Sequence, residues 1–247
     1  MQRLSFADAN ANLLQLQPGT PRYREGPGLF VLARVVRSKL VRFMREPFNA
    51  ISHLVGAILV AACTVALCLV NKFDPIAIAA FIVFGLGAMF MFSSSSAYHW
   101  TKTVKPWLQR LDHSAIFVMI AASYTPICLL ALSPPLSVYV LCLQWGLALF
   151  GLLWNFLVGK PPTWVRLTLY LTMGWMAVFL LPSLRLDQPV VVLSLLLAGG
   201  VFYSVGVIFY SLKRPILWPN RFGAHEIWHL FVLGGAASHS VMMFYLS

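Results

Sequence analysis

The chain has 247 residues, 60% of them hydrophobic and only 10% charged, with a mean hydropathy of +0.79. A single soluble domain could not hide that much apolar surface, so the composition places the protein in the membrane class. The formal net charge of +11 does not point to nucleic acid, because the basic residues gather in the segments between apolar runs, where they read as topology and anionic-lipid contact.

Residues 1–30 are polar and interrupted by Pro18, Gly19, Pro21, Gly26, Pro27 and Gly28. They hold no apolar run followed by a small-residue cleavage site, so no cleaved signal peptide is expected and a mobile cytoplasmic tail is. Over residues 31–45, Leu32, Val35, Val36, Leu40 and Phe43 interleave with Arg34, Arg37, Lys39, Arg42 and Arg45. That pattern suits a basic amphipathic helix lying in the headgroup region, and it suits equally a solvated charge run ahead of the first span. Residues 1–45 are therefore expected to form an N-terminal tail, and residues 46–247 the membrane domain.

Seven apolar runs long enough to cross a bilayer as helices are expected near 48–70, 76–98, 113–132, 137–158, 164–182, 189–211 and 223–246. Short polar breaks separate them, which forces antiparallel neighbours and predicts an all-α seven-transmembrane-helix bundle. If the N-terminus is inside, sixteen of the eighteen Lys and Arg residues fall in cytoplasmic segments, and only Lys72 and Arg185 fall outside. This asymmetry predicts a cytoplasmic N-terminus and an external C-terminus. Cys63, Cys68, Cys128 and Cys142 all lie in apolar runs without a C-x-x-C pair, and they read as small buried hydrophobes.

The polar residues inside the spans carry the chemistry. At the start of the first span, Glu46, Asn49 and His53 recur at three- and four-residue steps on one face, a stripe that suits an interface or the support of a site equally well. Pro47 fits the first helical turn, where its missing N–H is not needed. The second span ends in Ser93-Ser94-Ser95-Ser96-Ala97-Tyr98-His99. Ser95 and His99 share a face, and a hydroxyl there can orient the imidazole or hold a water. The other serines read as small packing residues. Asp112 opens the third span, and a carboxylate at membrane depth is costly enough to imply a function.

The seventh span opens with His225-Glu226-Ile227-Trp228-His229. Imidazoles four residues apart on a helix lie about 6 Å apart along its axis and can reach one metal ion. His99 closes a span arriving at the cytoplasmic side, whereas Asp112, His225 and His229 open spans leaving it. Three histidines and one aspartate thus share a level, enough for a three-nitrogen zinc site with a carboxylate-held water. His113 points elsewhere on its helix, and His239 lies about 15 Å beyond His229, too far for the same ion. Spans four to six, with Gln144, Asn155, Thr168, Thr172, Ser194 and Ser204, suggest only helix–helix packing.

Taken together, Glu46-Pro47-Phe48-Asn49 to His53, Ser95 to His99, Leu111-Asp112-His113-Ser114-Ala115-Ile116, Ser123-Tyr124-Thr125-Pro126 and His225 to His239 resemble the hemolysin III family. That family is the bacterial branch related to the progestin and adiponectin receptors, and the resemblance covers about residues 46–247. It implies zinc as the cofactor with His99, His225 and His229 as ligands, Asp112 holding the zinc-bound water and Ser95 behind it. Glu226 stands where the human receptors carry Gln, so a role as a base is open for it.

Relatives similar to ceramidases imply a zinc-dependent hydrolase of a lipid amide or ester. Zinc would polarise the carbonyl and Asp112 would act as base, with membrane lipid as the partner, a substrate arriving from the inner leaflet and the bacterial inner membrane as the location. A second class is a non-enzymatic membrane protein with a structural zinc: a receptor, a regulator of membrane homeostasis, or a cytolytic pore. The pore is disfavoured because a chain apolar throughout could not first be soluble. A third class, an intramembrane zinc protease, rests on H-E-x-x-H, but no Asp-containing span follows that helix.

Overall fold

The structure is a computed structural model, and it describes residues 44–103, 105–184, 188–219 and 222–246. The expected amphipathic helix over 31–45 lies outside these residues except for Met44 and Arg45. Among the described residues are seven helices long and apolar enough to span a membrane: α1 (Pro47–Val70), α2 (Pro75–Trp100), α3 (Pro106–Ala131), α4 (Leu136–Val158), α5 (Thr163–Leu184), α6 (Val190–Leu212) and α7 (Ala224–Leu246). The described residues form an all-α seven-span bundle with a small two-stranded addition. Ile216–Trp218 (β1) pairs antiparallel with Phe222–Gly223 (β2) in the connection between α6 and α7.

Local sequence explains the helix ends. Pro opens α1, α2 and α3 at their first turns, where no intrahelical N–H is required. The Asp74 carboxylate accepts the amides of Ile76 and Ala77 at the head of α2, satisfying two otherwise orphaned donors. Helix α3 starts at Pro106, seven residues ahead of the expected 113. Its first two turns are polar, with Gln109, Arg110 and Asp112, so hydropathy alone places the boundary too late. Asp112 consequently sits inside the helix rather than at its mouth.

Helix α3 is the central strut: 72% of its most apolar window is buried, against at most half of any other span's. Helices α1, α2 and α3 pack side by side, α4 lies against α3, and α6 and α7 form a close pair that α1 flanks. Helix α5 packs most loosely, and a cavity fills the space between it, α3, α6 and α7. The end of the bundle away from His99 and His225 is closed by an apolar plug that includes Leu67, Phe81, Phe84, Leu184, Met242 and Met243.

Helix α5 is broken at Met176, between Thr163–Trp175 and Ala177–Leu184. A break at membrane depth frees carbonyls that have no water to accept from. Here the hydroxyl of Tyr124 donates to the carbonyls of Met173 and Gly174 at 2.8 Å each, and Gln144 Nε2 donates to that of Met173 at 3.0 Å. The Ser123-Tyr124-Thr125-Pro126 segment thus serves the backbone of a neighbouring span.

Candidate metal centre

His99 is carried by the last turn of α2, and His225 and His229 by the first two turns of α7. Their Nε2 atoms converge, His225 to His99 at 3.5 Å and His229 to His225 at 3.3 Å, and the candidate ligand atoms of all three lie within 4.8 Å of one another. Nitrogens bound tetrahedrally to one zinc at roughly 2.0–2.1 Å stand about 3.3 Å apart, so the three side chains are close enough to hold a metal ion. His99 and His229 are buried and His225 is half-buried.

The donor chemistry fits a cation. Glu46 Oε2 lies 2.6 Å from His99 Nδ1, and a carboxylate oxygen can only accept, so the ring proton sits on Nδ1. The lone pair of His99 is thereby left on Nε2, aimed at the other two rings. This is the carboxylate–histidine support that sets a ligand's tautomer and basicity. Partial burial works against the Glu46 carboxylate, but the hydrogen bonds from His99 and Asn49 and the neighbouring Arg45 charge hold its pKa below the usual carboxylate range.

Further contacts lock this support in place. Asn49 Nδ2 donates to Glu46 Oε2 and to Glu226 Oε1, both at 3.1 Å, and Arg45 Nε pairs with Glu46 Oε1 at 2.9 Å while its guanidinium stacks on Tyr98. The backbone N–H of Glu46 also donates to the carbonyl of His99. His53, one turn beyond Asn49, lays its ring on that of His229 with centroids 3.9 Å apart. The Glu46–Asn49–His53 stripe therefore faces the histidine cluster and supports it.

Glu226 is engaged elsewhere. Besides Asn49 on Oε1, its Oε2 accepts the amide of Gly223 at 2.8 Å, so both oxygens tie the start of α7 to α1 and to the hairpin. Asp112, by contrast, lines the cavity beside His99 and His225, with Ser95 of α2 next to it on the same wall. Opposite it lies Arg166 of α5, only 2% exposed, with Nη1 3.2 Å from His113 Nδ1 and its charge felt at Asp112. Tyr170 donates to the carbonyl of His113.

Arg166 corrects the sequence reading, which counted it among the cytoplasmic surface charges: it is a buried wall of the cavity. An arginine within the expected span 164–182 was the available signal, since an ionisable residue at membrane depth implies a function by default. Glu46 and His53 had a weaker signal, helical spacing on one face, which cannot tell which neighbour the face meets. From the histidine cluster the cavity runs past Ile116, Ile120 and Leu171 toward Trp175, Tyr203 and His239, polar at its start and apolar along most of its length.

A family model described as haemolysin-III related matches residues 41–240. Hemolysin-3 of Bacillus cereus is 35% identical over 213 residues, 84% of this chain and 93% of that protein. The hemolysin-3 homolog of Bacillus subtilis (strain 168) is 36% identical over 197 residues, 78% of this chain and 90% of that protein. The monocyte to macrophage differentiation factor of Homo sapiens is 32% identical over 164 residues, 64% of this chain and 66% of that protein. The chain belongs to the haemolysin-III family of the progestin and adiponectin receptor superfamily, and it is an integral multi-pass membrane protein.

Proposed function

We propose that this membrane protein is a zinc-dependent hydrolase of lipid amides or esters, with His99, His225 and His229 as the metal ligands and Asp112 as the general base. The observation that supports it best is that Asp112 and the three imidazoles line the same end of a cavity that is apolar along most of its length. Zinc held by these three histidines would supply Lewis-acid polarisation of a carbonyl and a lowered pKa for a bound water. Asp112 accepts a proton from the attacking water and returns it to the departing nitrogen or oxygen. The carbonyl carbon gains the water's oxygen, and a carboxylic acid and an amine or alcohol leave.

The surrounding residues orient these groups. Ser95 stands next to the Asp112 carboxylate, and Glu46 keeps the His99 proton away from the ligand nitrogen. Arg166 offers a fixed positive charge to a carbonyl oxygen or to the product acid. Glu226 acts as a positioning residue for the first turn of α7, because both of its oxygens are already engaged. We place the site at the inner-leaflet end of the bundle in a bacterial inner membrane, with the N-terminus cytoplasmic and substrate lipid drawn from the inner leaflet.

One variant tests the reading with two measurements. Wild-type protein is expected to purify with about one zinc per chain and to hydrolyse members of a lipid amide and ester panel. Asp112→Asn is expected to keep most of its zinc and to lose at least about a hundredfold in turnover, the scale of a lost general base. Zinc-loaded wild type that turns over nothing would favour the non-enzymatic alternative, in which zinc staples α2 to α7 and the protein serves as a receptor or regulator.

A further inference from the structure

The end of the cavity remote from the histidine cluster holds two polar groups that no protein atom satisfies. Tyr203 of α6 and His239 of α7 both line it, with ring centroids 5.6 Å apart. The Tyr203 hydroxyl and the His239 Nδ1 are each shut off from solvent and lack a hydrogen-bond partner. Leaving such groups unmet in an apolar interior is unfavourable, yet the packing makes room for both. The His239 ring sits directly over Gly199 of α6 and the Tyr203 ring over Gly235 of α7, where a Cβ on either glycine would strike the ring.

The free valences differ in kind. His239 Nε2 lies 3.4 Å from the carbonyl of Leu196. A carbonyl only accepts, so the neutral ring carries its proton on Nε2 and offers Nδ1 as an acceptor. Tyr203 offers an O–H donor. A donor and an acceptor on rings whose centroids are 5.6 Å apart are both met by one hydroxyl group, which accepts from one and donates to the other. A ketone or ester oxygen would meet only Tyr203, and a methylene neither.

We infer that Tyr203 and His239 form a hydroxyl-recognition subsite, selecting lipid chains that bear a hydroxyl part-way along. His239 lies ten residues beyond His229, about 15 Å along α7, so a chain held at the histidine end would place mid-chain carbons there. The inference rests on the reading that the cavity takes a lipid chain, and the experiment separates the two.

Zinc-loaded full-length protein in nanodiscs is titrated with a plain long-chain fatty acid and with its mid-chain hydroxylated counterparts of equal length, by competition against a fluorescent fatty acid. Wild type is expected to bind the best hydroxylated isomer about five- to tenfold more tightly than the plain chain, the scale of one or two net hydrogen bonds, with a single optimum as the hydroxyl is moved along the chain. Tyr203→Phe is expected to abolish the preference and leave plain-chain affinity unchanged, and His239→Gln to weaken the preference.

If the plain chain binds and hydroxylation adds nothing, the subsite is overturned while the lipid cavity stands. If no chain binds, the lipid reading and the subsite fall together. A preference that survives Tyr203→Phe also overturns the assignment, since that change removes only the hydroxyl and needs no repacking.

Discussion

Glu46 shows how much of the centre depends on one residue just outside a span. Its carboxylate accepts a hydrogen bond from His99 Nδ1 at 2.6 Å, and its backbone N–H donates to the same residue's carbonyl. The side chain sets the tautomer, and the main-chain bond sets how α1 docks on α2. Glu46→Gln keeps an acceptor in place but removes the charge that raises the basicity of His99. Zinc affinity is expected to fall by about tenfold or more, the range seen when a supporting carboxylate is lost, with the fold retained. Competition against a fluorescent zinc chelator measures the affinity, and circular dichroism checks the fold. Unchanged affinity would show that Asn49 and Arg45 suffice without the carboxylate's charge.

At the scale of elements, the break in α5 and the polar start of α3 both bear on the cavity wall. The break frees the Met173 and Gly174 carbonyls, and Tyr124 of α3 crosses to satisfy both. Tyr124→Phe leaves Gln144 on Met173 but takes the Tyr124 bond from Gly174. A loss of about 0.5–1.5 kcal/mol of stability is expected from the lost hydrogen bond. Thermal denaturation in detergent should show a lowered midpoint while zinc content stays at the wild-type level. Loss of zinc in this variant would mean that the break and the metal centre form one cooperative unit. The early start of α3 at Pro106 matters for the same region, because it carries Asp112 into the bundle, beside Ser95 and across from Arg166.

At the scale of the whole molecule, basic residues argue for orientation. With Arg166 buried in the cavity wall, fifteen Lys and Arg residues remain on one side of the expected topology and two on the other, still a strong asymmetry. Fusions after Ser247 are expected to be active with a reporter that works only outside the cytoplasm, and silent with a cytoplasmic one. The reverse pattern would move the histidine cluster to the outer leaflet and with it the route of lipid entry.

The span count could be read from the residues alone, because apolar length against bilayer thickness is a one-dimensional property. The sequence also carried the pairing of His225 with His229, since helical spacing places i and i+4 on one face, and the common level of His99 with them, since short loops leave spans antiparallel. Which helix faces meet became visible only in the packed bundle. The Glu46–Asn49–His53 stripe could have faced headgroups, and it faces the histidines. Arg166 could have snorkelled to the surface, and it points inward. Glu226 could have reached toward the histidine cluster, and it binds Asn49 and the Gly223 amide. The rotation of each helix about its own axis follows from packing against all its neighbours at once, and residue spacing within a single span does not encode it.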